Sequence, residues 1–234
     1  MISETFFGTN EVARANAKIM ISELLKKNDH PLLLIIGGGA IGSGSELLYD
    51  NKIIKTLSLD VYGSDNVDII SDAHQLPLSD ESVDGVWIQA VLEHVLDPVV
   101  VASQIYRVLK PDGLVYADTP FLQNVHEGPY DFTRYTESGH RWLFKQFSRI
   151  NSGITKGPGT VLLWSLTACV HSVFRNKFIA RMFRILFFWI RFIDYACGSR
   201  QSLDSASGFF ILGRKSETPM SCKDIIPYYK KSNY

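Results

Sequence analysis

The chain carries no excess of charge: 24 Lys and Arg stand against 24 Asp and Glu. Without a net field there is no general attraction for nucleic acid, so any basic surface must be local. Cysteine is scarce. Cys169, Cys197 and Cys222 lie far apart and fit neither a disulfide framework nor a zinc spacing, so reduced, structural thiols are expected. No internal repeat and no low-complexity tract interrupts the sequence. Thr160–Phe174 has no charge, but its 15 residues fall short of the roughly 20 that span a bilayer. Met1–Asn10 is polar and lacks a basic n-region, so no secretory signal reads there and a cytoplasmic location is expected. What is present is a folded composition, 46% hydrophobic and 21% charged. At 234 residues, one domain with an insertion is the favoured organisation.

Apolar spacing places a helix over Asn10–Asn28, with Val12, Ala15, Ile19 and Leu24 near one face. Pro31–Ile36 is a continuous apolar run ending in glycines, which reads as a buried strand. A helix over Gly42–Tyr49 follows, then strands over Ile53–Asp60, Val67–Ile70 and Ser82–Gln89. Pro98–Leu109 reads as a helix, Lys110–Gly113 as a turn and Leu114–Thr119 as a strand. Strands alternating with helices predict a parallel sheet covered on both faces. Beyond Pro120 the character changes. His126–Arg134 is a polar and aromatic loop, Thr136–Phe147 looks helical, and Thr160–Ala196 is strongly apolar. Ser207–Arg214 reads as a last strand, and Thr218–Tyr234 as a polar tail with little pattern.

Gly37, Gly39 and Gly42 satisfy G-x-G-x-x-G between a strand and a helix, with Asp60 about 20 residues on. Alone, this fits a flavin or nicotinamide enzyme as well as any other nucleotide-like cofactor. An acid at that place holds a ribose diol through two hydrogen bonds to one carboxylate. Asp72-Ala73 then lies just past the third strand. The run from Asp72 through Leu76-Pro77 to Ser82-Val83-Asp84 follows, then Leu92-Glu93-His94 and Arg107-Val108-Leu109-Lys110-Pro111. This succession resembles class I S-adenosylmethionine-dependent methyltransferases, in the broad group of type 11 methyltransferases, from about Leu32 to Phe147. Tyr106 and Lys110 also have the YxxxK spacing of short-chain dehydrogenases, but i and i+4 simply share a helix face.

The resemblance implies a role for each matching residue. Gly37, Gly39 and Gly42 would let the main chain pass under the methionine part of S-adenosylmethionine, with Gly38 as a turn residue. Asp60 would accept from both ribose hydroxyls, and Val61 would lie against the adenine. Asp72 would accept from the adenine amino group, with the Ala73 N–H nearby; a local turn capped by Asp72 is the alternative. Gln89 and Ala90 would line the methyl-transfer side. The chain departs from the family at Ile35, where an acid usually stands two residues before the first glycine. Backbone carbonyls or Gln89 would then have to meet the cofactor's ammonium; a degenerate, non-catalytic domain is the other reading. Glu93-His94 is similar to a metal-binding motif of ubiquinone-pathway O-methyltransferases, which carry a further Glu where this chain has Ala90. Two residues are a poor site for a divalent cation that wants more oxygen ligands, so no metal is expected and the pair is read as support for its loop.

The sulfonium is already an activated donor, so the protein has to align the nucleophile and exclude water. A hydroxyl acceptor also benefits from a general base. In this fold the loop after the fifth strand faces the sulfonium, and it offers His126, Glu127, Tyr130, Asp131, Arg134 and Tyr135. His126 is the candidate base, because imidazole titrates near neutrality. Asp131 would orient it or bind the acceptor, and Arg134 would hold an anionic group. A loop pinned by an Asp131–Arg134 pair is the plainer alternative. His140 reads as packed or exposed.

Lys177, Arg181, Arg184 and Arg191 fall on one helical stripe, with Phe183, Leu186, Phe187, Trp189, Ile190 and Ile193 covering the remaining surface. This fits a helix lying in an anionic membrane surface and equally a cap over the active site or a dimer interface. Pro158-Gly159-Thr160 starts the segment, with Thr160 as N-cap.

The expected fold is therefore α/β: a Rossmann-like, seven-stranded, mostly parallel sheet whose last-added strand is antiparallel. The methyltransferase domain is assigned to 1–157 and 204–216, a helical insertion to 158–203 and a tail to 217–234. The expected acceptor is a hydroxyl on a small or lipid-linked molecule, a glycan or an isoprenoid precursor. A peripheral place on the inner membrane face goes with it.

Overall fold

A computed structural model describes residues 10–198 and 200–233. The absence of a leader read from Met1–Asn10 concerns residues that lie, but for Asn10, outside the described ones.

The apolar run of β1 (Leu32–Ile36) pairs in parallel with β2 (Lys55–Asp60) on one side and β4 (Val83–Gln89) on the other. The short β3 (Ile69–Ile70) extends β2, and β5 (Leu109–Pro120) extends β4, both in parallel. The strand order is β3-β2-β1-β4-β5-β7-β6, with β7 (Gly208–Lys215) antiparallel to both neighbours. The expected sheet is thus present. Its seventh member, β6 (Phe147–Ile154), went unread in the sequence because Phe-Ser-Arg-Ile-Asn-Ser-Gly-Ile lacks clean alternation. The order reverses between β1 and β4, which opens a crevice at the carboxyl ends of these strands.

Helices cover both faces. α1 (Glu11–Leu25) is capped by Asn10, whose carboxamide oxygen accepts from Ala13 N at 3.1 Å. Its buried face is Ala13, Asn16, Ala17, Met20 and Leu24; Ala15 and Ile19 are exposed, so the expected face is rotated. The cause is Asn16, whose side chain is satisfied by Val12 O and Asn151 and so can point inward. α2 spans only Glu46–Tyr49, because Gly42–Ser45 forms a turn in which Gly44 takes φ +91°. α3 (Pro98–Val108) starts on the Asp97 cap with Pro98 in the first turn. It packs Val101, Ile105 and Val108 against Val86, Ile88 and Val115, with Phe144 and Phe147 completing that side. α4 spans Glu137–Leu143, capped by Thr136.

The signature runs at the far end of the sheet are clamps. Asp84 accepts from Leu32 N at 2.8 Å and pairs with Lys110 at 2.9 Å. Arg107 reaches the carbonyls of Leu76 and Leu78 and the carboxylate of Asp80. The Tyr106 hydroxyl donates to Ser216 O, which disposes of the YxxxK reading. Lys110–Gly113 sits within the long β5, where the register to β4 slips and Asp112 takes φ +60°.

Between β6 and β7 run α5 (Pro158–Phe174), α6 (Lys177–Leu186), a 3-10 turn (Phe188–Phe192) and α7 (Ile193–Ala196). Thr160 is not the N-cap of α5. Asp194 performs that task from the far end of the segment, accepting from Gly159 N at 2.7 Å, Thr160 N at 3.2 Å and Thr160 Oγ1 at 2.5 Å. Arg191 does not continue the α6 stripe, because the α-helix stops at Leu186 and the 3-10 turn rotates it away. Among the described residues no helix is long and apolar enough to cross a membrane. The sequence past Thr218 is not patternless: α8 (Ile225–Asn233) lies there, with Tyr228 stacked by Arg149 and Arg141.

Candidate functional site

The glycine turn is drawn tight against the ends of β2 and β4. Gly37 takes φ +78°. A Cβ at Gly39 would stand 2.7 Å from Asp60 Oδ2, and one at Gly42 would stand 2.8 Å from Gln89 Oε1. Only glycine leaves this floor bare for a ligand. Asp60, at the end of β2, accepts from Gly39 N at 2.9 Å and Tyr62 N at 3.1 Å. Val61 and Tyr62 beyond it are exposed. Ser71 N donates to Asp60 O, which brings the Asp72-Ala73 turn beside the β2 end. Gly37, Gly39, Gly42, Asp60, Val61, Asp72, Ala73, Gln89 and Ala90 thus lie at or just beyond the carboxyl ends of β1, β2, β3 and β4, Ala73 with its side chain buried in the core. A bare glycine floor with a carboxylate at its edge fits an adenosine-bearing cofactor with an amino-acid tail.

Three details differ from expectation. Asp72 does cap its turn, accepting from His74 N at 2.8 Å and from the His74 ring at 2.5 Å, and these bonds hold its carboxyl below the usual range. Ile35 is buried on the α1 side with Trp87 and Tyr116, so its side chain is core. Gln89 is already engaged by Trp87 Nε1 at 3.2 Å and Ser43 O at 3.2 Å, tying the glycine turn to β4.

Just past Gln89 the backbone breaks sharply. Ala90 takes φ +52°, held by Asp118, whose Oδ1 accepts from Ala90 N at 3.0 Å while Oδ2 accepts from Tyr116 Oη at 3.1 Å. Burial pushes the Asp118 carboxyl up to about 6. Asp118 escaped the sequence reading, although an acid inside the apolar strand Leu-Val-Tyr-Ala-Asp was a visible signal.

The 3-10 turn Leu92–His94 then carries Glu93 inward, and the loop after β5 folds onto it through Phe132 N donating to Glu93 O at 2.8 Å. His126 comes from the loop after β5 to meet Glu93 and His94. Glu93 Oε1 lies 3.6 Å from His126 Nε2 and 3.8 Å from His94 Nε2. The two imidazoles meet edge to face at 4.8 Å between centroids. Glu93 is 1% exposed, and burial pushes its carboxyl up to about 8.

The remaining catalytic candidates are committed to their loop. Arg134 forks onto both oxygens of Asp131 and also donates to Thr133 O at 3.0 Å. The guanidinium holds the Asp131 carboxyl down at about 2. Asp131 accepts from His126 N at 2.9 Å, so it positions the His126 backbone. Arg134 therefore spends its fork on Asp131 and pins the loop. His140 is buried between Tyr135 and Phe144, and burial lowers its pKa to about 3.

A cavity of about 680 Å³ opens beside this loop, between α5 and α6. Its walls include Asn124, Trp164, His171, Lys177, Phe178 and Arg181. Asn124 Nδ2 donates to Trp164 O, and Asn124 O faces His126 Nδ1, so one residue joins the cavity to the imidazole. Over 161–198 only Leu163, Ala180 and Ile190 are buried. Phe178, Met182, Leu186, Trp189, Phe192 and Tyr195 stand largely in the open, Phe178 at 69% and Tyr195 at 84%.

Residues 50–117, under a third of the chain, match the methyltransferase domain family. No protein of curated function matches the sequence. Among solved structures the fold is similar to an S-adenosylmethionine-dependent methyltransferase from Archaeoglobus fulgidus, at TM-score 0.55, 17% identity and coverage of 92% of this chain and 98% of that one. It is also similar to phosphoethanolamine N-methyltransferase 2 of Haemonchus contortus in complex with S-adenosyl-L-methionine, at TM-score 0.57 and 16% identity, covering 92% of this chain and 56% of that one. The [4+2]-cyclase SpnF shares the fold at TM-score 0.56, 16% identity and coverage of 88% and 80%. At these identities the likenesses speak for the fold, and the domain match for methyl transfer.

Proposed function

We propose that this chain, a class I S-adenosylmethionine-dependent methyltransferase, methylates a hydroxyl of an amphiphilic, lipid-linked acceptor such as a glycan or isoprenoid precursor. The observation that carries this reading is the continuity of the α5–α6 cavity with His126 through Asn124. An acceptor with an apolar body in that cavity puts its polar end at the loop after β5. The walls favour such a body: Trp164 and Phe178 are aromatic, and Lys177 and Arg181 supply positive charge for an anionic group.

S-Adenosylmethionine supplies the activated methyl group when bound. Gly37, Gly39 and Gly42 would form the floor under its methionine part, and Asp60 would accept from the ribose diol. Val61, Asp72 and Ala73 would border the adenine. Gln89 and Ala90 would line the methyl-transfer side, Gln89 by holding the turn. His126, its main chain fixed by Asp131 and Arg134, would take the hydroxyl proton as the oxygen bonds to the methyl carbon and the sulfur–methyl bond breaks, leaving S-adenosylhomocysteine. Residues 158–203 form the acceptor-binding element on the domain of 1–157 and 204–216. Their exposed face rests on an anionic lipid surface, because open Phe, Leu, Trp and Ile side chains beside Lys177 and Arg181 match an interface. On this reading the protein works at the inner face of the membrane.

The test is transfer of labelled methyl from S-adenosylmethionine into a lipid extract. Label recovered as alkali-stable ether in the organic phase supports the reading. Label recovered only in water-soluble amines removes it. Binding of NADH with no response to S-adenosylhomocysteine would falsify the cofactor assignment.

A further inference from the structure

Glu93 poses a problem that the methyl-transfer reading leaves unsolved. Its side chain is 1% exposed, yet neither carboxylate oxygen has a hydrogen-bond partner. Of the surrounding charges, Arg134 favours its ionised form, and Asp118 and Asp131 oppose it. Arg134 is taken by Asp131, and Asp118 spends its oxygens on Ala90 N and the Tyr116 hydroxyl. No Lys or Arg among the described residues pairs with Glu93; only two imidazoles approach it, at 3.6 and 3.8 Å. A buried, unpartnered carboxyl is costly and calls for something to satisfy it.

The imidazoles show what is missing. His94 Nδ1 lies 2.8 Å from Tyr130 O, and His126 Nδ1 lies 3.4 Å from Asn124 O. A carbonyl only accepts, so each Nδ1 carries a proton, and in a neutral ring the lone pair of Nε2 then faces Glu93. Three acceptors therefore face one another, with their donor atoms all within 4.8 Å. One proton can bridge a single gap among them. A cation satisfies all three at once. A backbone carbonyl behind each imidazole is also the outer arrangement that orients metal-binding histidines.

We propose that Glu93, His94 and His126 bind one divalent transition cation of the zinc class, through a Glu93 oxygen and both Nε2 atoms. Two imidazoles and one carboxylate suit zinc and leave a fourth position open. Donors around a tetrahedral zinc stand roughly 3.3 Å apart, so the carboxylate–imidazole gaps of 3.6 and 3.8 Å need little change, while the widest separation, up to 4.8 Å, closes only if the two loops draw together. The missing oxygen ligand at Ala90 does not count against this site, because the third donor comes from the other loop and is an imidazole. The site itself is independent of the acceptor. Its use in catalysis rests on the hydroxyl reading above and changes one role in it: a cation there would make a coordinated hydroxyl more acidic, so its proton would leave to solvent and His126 would act as ligand in place of base.

The experiment titrates the chelator-treated full-length protein with Zn²⁺ by calorimetry and with Co²⁺ by visible absorption, alongside His94→Ala and His126→Asn. Circular dichroism and the thermal midpoint report whether each variant folds, and His126, at 39% side-chain exposure, is the one whose loss the fold tolerates best. The expected result is one Co²⁺ per chain with the visible band of a four-coordinate site. Each variant should bind at least ~100-fold more weakly, since losing even an outer partner of a ligand costs 10–100-fold. Retained Co²⁺ binding with no turnover of any hydroxyl acceptor supports the site and removes the acceptor reading. Full methyl transfer by metal-free protein together with no Co²⁺ binding overturns the site and leaves that reading standing. Co²⁺ affinity unchanged in both variants also overturns it.

Discussion

Two stretches of this chain are about equally apolar and end in opposite surroundings. β5 and β7 bury nearly every side chain in the middle of the sheet. The helices between β6 and β7 bury only Leu163, Ala180 and Ile190 over 161–198. Apolar composition sets the pull toward burial, but a partner must be within reach to satisfy it. β5 has β4 and β7 on its edges and α1 and α3 on its faces. The helical segment leans on Asn124 and on the Asp194 clasp, and presents the rest outward. A face left in this state points to material from outside the chain. Glu93 makes the same point in polar form, since its lone pairs also await a partner the chain does not supply.

The comparison breaks first at the seam. His126→Asn should lower methyl transfer about 100-fold while leaving S-adenosylhomocysteine affinity nearly unchanged. Calorimetry and initial rates measured on the same preparation check this, and an equal loss of both would make His126 part of the cofactor site. In the sheet-centred body, Asp60→Ala should weaken S-adenosylhomocysteine by about 2 kcal/mol, roughly 30-fold, with vesicle binding untouched. If vesicle binding fell with it, the two regions would not be separable.

On the helical segment, Lys177→Glu with Arg181→Glu should cut sedimentation with anionic vesicles by about 10-fold or more and leave cofactor binding alone. High salt should do part of the same to the unaltered protein. These two positions are the ones to change, because Arg184 and Arg191 both border a smaller pocket beside Lys156, Arg184 in addition to the main cavity. A chain that ignores vesicles and sediments as a stable dimer would give the exposed face to a second copy.

The smallest effect belongs to the core. His140 has its pKa lowered by burial to about 3, against about 6.5 when unfolded. Its neutral form is matched in both states above pH 6.5, and the unfolded chain gains a proton first as pH falls below that. Stability is therefore lost from pH 6.5 downward toward pH 3, by about 1 kcal/mol between pH 7 and 5.5. His140→Phe should flatten this limb in thermal scans at the two pH values. An unchanged slope would mean that the imidazole is accessible to protons in the fold.

Much of the glycine turn and the strand ends around it was legible because its signals are local. Glycines, an acid at a strand end and an apolar run each act within a few residues of the backbone they shape. Asp84, Arg107 and Lys110 were legible as a signature but not as clamps, since their partners are 26 to 52 residues distant. β6 and α8 were not legible. Neither has a strong period of its own, and both form where a neighbour is already present: β7 beside β6, and Arg141 and Arg149 over Tyr228.

The sequence by itself determined the α/β alternation, the glycine turn and the carboxylate at the end of β2, because backbone preference and burial period are written residue by residue. Only the tertiary structure decided that His126 would meet Glu93 and His94. Those residues come from two loops whose approach depends on β4 and β5 lying side by side and on Phe132 N closing onto Glu93 O. No spacing along the chain encodes that distance, since it is set by strand adjacency. The same holds for Asp194 on the first turn of α5, 34 residues from Thr160: a cap supplied through space leaves no mark beside the helix it caps.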